Sequence, residues 1–211
     1  MRRPVLLSLG LAVVSVVVLW QQAVAVERTW DELRAYYDYD PSVPLVAVAD
    51  PPRDGGLFTI ETIRFKSVND QVVPAALRKP KNAERPPVIL CLHGLGGNKD
   101  DVALGLALLV CPQGIAVLSL DAQYHGERRV PDGELVSPDV DRMIAGFRQT
   151  IIDYRRALDY VATREDLDHE RVVLVGASMG AIMGSILTAV EPRIRAAFLI
   201  VGGGDLIGLF Q

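Results

Sequence analysis

The chain has 211 residues, half of them apolar, 23% charged and 6% aromatic. That suits one globular domain with at most a short appendage, and excludes disordered, collagen-like and disulfide-dense classes. A net charge of −4, with acidic and basic residues interspersed, leaves no concentrated basic face, so no nucleic-acid partner is expected.

Arg2 and Arg3 precede an uncharged stretch over residues 4–26 whose middle is almost wholly Val, Leu and Ala. A positive start, an apolar run broken by Gln21 and Gln22, and then Ala23-Val24-Ala25 make a signal peptide over residues 1–25, cleaved after Ala25. The competing reading is an uncleaved anchor formed by residues 4–26, since an uncharged run of ~20 residues spans a bilayer. Either way the domain is expected to be exported, periplasmic or secreted, and it contacts a membrane only if that segment is retained. Removing residues 1–25 takes away two arginines and no acid, moving the net charge from −4 to −6. Cys91 and Cys111 are the two cysteines; the first lies in an apolar strand pattern and the second near a helix end, so two buried thiols are expected rather than a disulfide.

Residues 26–56 read as a lead-in. Thr29 caps a short helix over residues 29–38, and Pro41, Pro44, Pro51, Pro52, Gly55 and Gly56 mark an extended linker. The domain itself is placed at residues 57–211. Residues 58–65 alternate apolar with polar, as does part of 72–77, with Asn69-Asp70 between them: an antiparallel hairpin. After a polar turn at 82–87 the pattern changes. Residues 88–92, 115–120, 172–175 and 196–201 are continuous apolar runs, the pattern of strands buried on both faces of a parallel sheet. Helices are expected at 100–110, 139–164 and 179–190; the second places Ile144, Phe147, Ile151, Ile152, Tyr154, Leu158 and Val161 at mostly helical spacing. Strands alternating with helices argue an α/β fold with a mostly parallel sheet, an antiparallel N-terminal hairpin and helices on both faces.

Three segments carry chemistry. Gly176-Ala177-Ser178-Met179-Gly180 stands between a strand and a helix, where G-x-S-x-G forms a sharp turn that lifts the serine hydroxyl above the sheet edge. Gly180 and Gly184 share a face and let that helix approach the sheet closely. At the end of the run 88–92 comes His93-Gly94-Leu95-Gly96-Gly97. Its glycines expose backbone N–H groups, and Leu95 N–H with Met179 N–H would bind the negative charge of a tetrahedral intermediate. A phosphate-cradling role is disfavoured, because neither G-K-[ST] nor G-x-G-x-x-G is present. Asn98 is expected to cap the next helix. The third segment, residues 121–128 (DAQYHGER), reads as a structural brace in which Asp121 and His125 tie the loop at the sheet edge. The three histidines, His93, His125 and His169, have no metal-ligand spacing, so no metal or other cofactor is expected. His169 reads as a surface residue in the turn 166–170.

Together L-H-G-L-G-G-N-K, L-D-A-Q-Y-H-G-E-R and V-G-A-S-M-G resemble the α/β-hydrolase superfamily from Phe58 to about Val201. The resemblance is closest to the secreted esterase-like branch related to acetyl xylan esterases and dienelactone hydrolases. It implies that Ser178 is the nucleophile, that Leu95 supplies an oxyanion N–H, and that a carboxylic ester, small-molecule or polysaccharide, is cleaved without a metal through an acyl-enzyme. A serine peptidase of the prolyl-oligopeptidase type shares this core. The triad in this fold runs Ser, acid, His along the chain, yet no histidine follows Ser178, and only Glu191 and Asp205 remain as carboxylates. Asp205 is the candidate acid. His93 and His125, on neighbouring strand ends, are the alternative bases, although the family uses them otherwise. Roughly 155 residues remain for a core that usually needs nearer 200–250. The domain is therefore expected to be a partial α/β-hydrolase fold with its C-terminal strands missing, weakly active or inactive by itself, the alternative being a non-catalytic binding derivative of the fold.

Overall fold

The computed structural model describes residues 28–203 apart from 132 and 134. The expected signal segment, Asp205 and the apolar segment 206–211 lie outside the described residues. The chain divides into two compact units, residues 1–35 and 36–211. In the first, α1 (Trp30–Ala35) is opened by a reciprocal cap. Thr29 Oγ1 accepts the Glu32 N–H (3.3 Å) and Glu32 Oε2 accepts the Thr29 N–H (2.7 Å), the capping box that T-x-x-E encodes.

The second unit contains β1 (Val48–Ala49), β2 (Arg53–Asp54), β3 (Phe58–Lys66), β4 (Val72–Pro80), β5 (Pro87–Leu92), α2 (Asp101–Val110), β6 (Ala116–Leu120), α3 (Val140–Ala162), β7 (Asp168–Ala177), α4 (Met179–Val190) and β8 (Ile194–Ile200). The strands form one sheet in the order β1-β3-β4-β6-β5-β7-β8, with β2 also paired to β3. The hairpin β3–β4 closes through Val68 to Gln71, with Gln71 N–H donating to Val68 O (3.2 Å) and both central residues, Asn69 and Asp70, at positive φ. That is a type I′ turn, whose twist matches the flanking strands.

The sheet is less parallel than expected. Only β6, β5, β7 and β8 run parallel, and β4 joins them by antiparallel pairing with β6, from Ala75 opposite Leu120 to Arg78 opposite Val117. This interior position explains why β4 is buried almost throughout although its sequence partly alternates. The expected linker is also structured, because β1 and β2 pair with β3. Before them, Tyr39 Oη donates to Asp159 (2.8 Å), and arginines of α3 donate to backbone carbonyls of the segment, Arg155 to Tyr37 O (2.7 Å) and Arg156 to Val43 O (2.5 Å).

Each continuous apolar run resolves into two faces, as the period of a strand requires. Val88, Leu90 and Leu92 of β5 face a core shared with Ile151, Tyr154 and Leu158 of α3 and Met179, Met183 and Leu187 of α4. Ile89 and Cys91 face the other way, with Val117, Val175 and Ala103 and Ala107 of α2. Both thiols are free and buried. Helix α3 departs from the expected pattern: Ile144 is exposed, whereas Gln149, Thr150, Asp153 and Arg156 are buried, because those polar groups hold loops against the helix. Its cap is Asp139, whose carboxylate accepts the Arg142 N–H (3.0 Å). Helix α2 corrects the Asn98 cap: the helix starts at Asp101, and Asn98 Oδ1 instead accepts the Asp100 N–H (2.8 Å). The run 196–201 is not buried on both faces either. Among the described residues β8 pairs only with β7, no helix covers the face that carries Phe198, and Phe198, Leu199, Ile200 and Val201 are exposed.

The order of the strands positions the site. β5 and β7 are neighbours, but β5 leads into α2 on one face and β7 leads into α4 on the other. Loops leaving their carboxyl ends therefore diverge and open a crevice between them, the place where open α/β sheets bind ligands. Helix α4 comes close because of its glycines. A Cβ at Gly180 would collide with the carbonyl oxygens of Leu92 and His93, whereas one at Gly184 would meet the flexible ends of Leu174 (2.8 Å) and Leu199 (2.9 Å). Gly180→Ala is expected to cost about 3 kcal/mol, the upper end for overpacking, and Gly184→Ala about 1 kcal/mol. Urea unfolding of the two variants beside the parent measures both.

Candidate active site

Ser178 follows the last residue of β7 and precedes the first of α4, with φ 53° and ψ −119°. A positive φ is costly for a residue with a side chain and persists only where its surroundings hold it. Here they do. Ser178 N–H donates to Ile200 O of β8 (2.9 Å), and Ser178 O accepts the Ala181 (2.8 Å) and Ile182 (3.1 Å) N–H groups that open the helix. A Cβ at Gly176 would collide with the Gly180 backbone. The two glycines of G-x-S-x-G are thus demanded by one close contact, and the serine between them is exposed.

The loop after β5 lies against this turn: a Cβ on Gly94 would stand 3.6 Å from both Ala177 O and Ser178 Cβ. Gly97 N–H donates to Gly94 O (3.2 Å), and Gly96 has φ +75° while Leu95 is not among the positive-φ residues, which defines a type II turn with Leu95 and Gly96 at its centre. Leu95 N–H makes no hydrogen bond among the described residues. Met179 is the first residue of α4, where N–H groups have no intrahelical partner. The two expected oxyanion donors thus belong to the loop after β5 and to the first residue of α4, the two segments that meet at Ser178. Beside Leu95 an open cleft of about 580 Å³ is lined by Tyr124, His125, Arg129, Val130 and Leu135, among others.

A third loop, after β6, holds the first. Asp121 is fully buried. Its Oδ1 accepts the Lys99 N–H (2.8 Å), and its Oδ2 accepts Lys99 Nζ (3.1 Å) and the Glu127 N–H (3.0 Å). Burial opposes the charge of Lys99, yet its hydrogen bonds to Glu127 and Asp121 hold its pKa above the ordinary value; hydrogen bonding from Lys99 in turn lowers that of Glu127. Arg128 spans Asp153 Oδ2 (2.6 Å), Asp121 O (3.2 Å) and the Gln123 side chain. Lys99 and Arg128 end two of the motifs without any role being legible in them, and Asp153 lies in none, because no spacing marks a residue whose partner is brought near by the sheet.

The two site histidines have their ring nitrogens committed. His93 Nε2 accepts the Ala122 N–H (3.1 Å), so Nδ1 carries the proton and donates to Gly94 O (2.8 Å). His125 Nε2 accepts the Gly96 N–H (3.0 Å) and Nδ1 donates to Gln123 O (3.0 Å). Both imidazoles are buried, neutral and fully hydrogen-bonded, which removes the alternative in which either takes the proton of Ser178. His169 is exposed at the start of β7 rather than in a turn. Glu191 is buried beyond the far end of α4 in ion pairs with Arg155 (3.2 Å) and Arg193 (2.7 Å), away from Ser178 at the other end of that helix. Among the described residues no group of three or more His, Cys, Asp or Glu is arranged to hold a metal ion, and no helix is long and apolar enough to cross a membrane.

Burial lowers the pKa of His93 from its ordinary 6.5, with the neighbouring His125 adding to the effect and the bond to Gly94 opposing it. A histidine whose folded pKa is depressed binds its proton more readily in the unfolded chain, so its contribution to stability is lost as pH falls below about 6.5. His93→Gln removes that contribution. The free energy of unfolding of the variant, from urea titrations between about pH 7.5 and 5.5, is expected to fall less steeply than that of the parent.

The family model described as the alpha/beta hydrolase fold matches residues 87–207. YtaP of Bacillus subtilis is 29% identical over 153 residues, covering 64% of this chain and 50% of YtaP. The quorum-quenching protein AidA of Acinetobacter baumannii is 28% identical over 138 residues, 65% of this chain and 41% of AidA. The chain thus spans half or less of the length of these relatives. Among solved structures, an acetyl xylan esterase from a Paenibacillus species superposes with a TM-score of 0.65 at 21% identity, covering 82% of this chain and 58% of that one; a likeness at that identity concerns the fold. With the divergent loops of β5 and β7, the serine turn between β7 and α4, and a family match over more than half its residues, this chain belongs to the α/β-hydrolase fold family.

Proposed function

We propose that the chain carries the nucleophile and oxyanion hole of a serine hydrolase acting on carboxylic esters. The observation that carries this reading is the backbone of Ser178, held at φ 53° by its neighbours with its side chain exposed where the loop after β5 meets the start of α4. In the reaction, Ser178 Oγ attacks the acyl carbon. The carbonyl oxygen becomes negative beside Leu95 N–H and Met179 N–H, the acyl C–O bond breaks, the alcohol leaves carrying the proton given up by the serine hydroxyl, and water then cleaves the acyl-serine ester to release the acid. Fixed donors in that position are worth more than solvent water because they need no reorganisation as charge develops. The resemblance of the motifs L-H-G-L-G-G-N-K, L-D-A-Q-Y-H-G-E-R and V-G-A-S-M-G to the esterase-like branch favours small-molecule or polysaccharide esters as substrates over peptides.

Among the described residues the hydroxyl has no histidine base, since both ring nitrogens of His93 and of His125 are committed elsewhere. The commitment of both rings favours a second reading, a derivative of the fold that binds and does not turn over. Labelling by a fluorophosphonate separates the two. The ester-hydrolase reading expects slow labelling that climbs with pH without a plateau near neutrality, because no imidazole assists, and that vanishes in Ser178→Ala. Equal labelling of parent and variant, or none in the parent, removes Ser178 from this role. Release of nitrophenolate from 4-nitrophenyl acetate gives the parallel readout for turnover.

We also propose that the domain is exported with residues 1–25 removed, on the strength of Arg2, Arg3, the apolar run and Ala23-Val24-Ala25. N-terminal sequencing of the protein recovered from cells is expected to begin at Val26. A start at Met1 in the membrane fraction points instead to an anchor formed by residues 4–26.

A further inference from the structure

Gly96 is the least supported residue of the turn that carries Leu95. It has a left-handed φ of +75°, and a Cβ placed on it would find nothing within 4 Å, so no packing holds it. A glycine in open space is free to explore both halves of the backbone map, whereas an oxyanion donor is effective only if it is fixed before charge develops. What grips this residue is a pair of hydrogen bonds, one on each side. Its N–H donates to His125 Nε2 (3.0 Å) and its carbonyl accepts from Arg129 Nη2 (2.6 Å). Both partners come from the loop after β6. That loop is itself secured, since His125 Nδ1 donates to Gln123 O (3.0 Å) and Arg128 donates to buried Asp153 (2.6 Å).

We propose that His125 and Arg129 are positioning residues that clamp Gly96 and thereby fix the direction of Leu95 N–H beside Ser178. The proposal rests on the reading of Ser178 and Leu95 given above. Arg129 is the more informative member because it is exposed, so its removal leaves the core intact. Lysine at the same place retains a donor for the Gly96 carbonyl.

The probe is phenylboronic acid, which reports on the oxyanion hole without needing a leaving group or an assisting base. The Ser178 oxygen donates a lone pair to boron, an O–B bond forms, the hydroxyl proton passes to solvent, and boron becomes tetrahedral and anionic with its oxygens beside the N–H donors. Boron-11 NMR and calorimetry measure the adduct; amide hydrogen exchange at Gly96 measures the clamp. The expected result is that Ser178→Ala abolishes the adduct, that Arg129→Ala and His125→Ala each weaken it about tenfold, less than the loss of a donor itself, and that Arg129→Lys restores near-parental affinity. Exchange at Gly96 is expected to quicken in both alanine variants. Parental affinity in Arg129→Ala and His125→Ala, with Ser178→Ala inactive, overturns the clamp and leaves the nucleophile standing. So does weakened binding in Arg129→Ala with unchanged Gly96 exchange, which would mean that Arg129 touches the ligand directly. Should the parent form no adduct, the reading of Ser178 fails, and unchanged Gly96 exchange in Arg129→Ala then rejects the clamp independently. If His125→Ala does not fold, as a thermal melt will show, the Arg129 pair decides.

Discussion

The arrangement around Ser178 depends on one buried anion, the carboxylate of Asp121 at the end of β6. A carboxylate taken fully out of water costs several kcal/mol unless its oxygens are paired and hydrogen-bonded. Both are met here by atoms from two loops: the backbone N–H and ammonium of Lys99 after β5, and the Glu127 N–H after β6. Satisfying the charge therefore forces the two loops together. Everything that follows, the approach of His125 to Gly96 and of His93 to Ala122, happens within the space that this contact defines.

The histidines show what that constraint costs in chemistry. Each accepts one backbone N–H and donates to one carbonyl, a use that requires the neutral ring and leaves no lone pair for a proton from Ser178. They work as rigid struts between loops that carry little side-chain packing of their own. Gly94 and Gly96, on either side of Leu95, give up side-chain packing, and the imidazoles replace it with hydrogen bonds of defined direction. Preorganisation at the site is thus supplied by residues that sequence motifs make look catalytic.

Much of this was legible in the chain. Helix α4 and the turn before it follow from local rules, because a small residue is required on each side of Ser178 for the strand to reverse into a helix. The four apolar runs could be recognised as strands, since length and β-branched content decide that locally. The failures share a cause. β1 and β2 are two residues each and exist only because β3 offers them partners. β4 looked like half of a free hairpin, and is buried because β6 pairs with its other side. Asp153 and Arg156 sit on α3 where the helical period places core, and are tolerated because Arg128 and Asp159 meet them there. β8 reads as a doubly buried strand and lies exposed at the sheet edge.

By itself, then, the sequence determined what each segment is and which serine stands at a sharp turn, because propensity, period and glycine placement act over a few residues. Which loops meet was decided by the tertiary structure alone. The pairing of β5 with both β6 and β7 brings residues 93–99, 121–129 and 178 together across as many as 85 positions, and the partners of a buried charge or an imidazole nitrogen are chosen by that proximity. Length, which at first only bounded the number of domains, thus says less about the site than strand order does: the crevice exists where neighbouring strands send their helices to opposite faces.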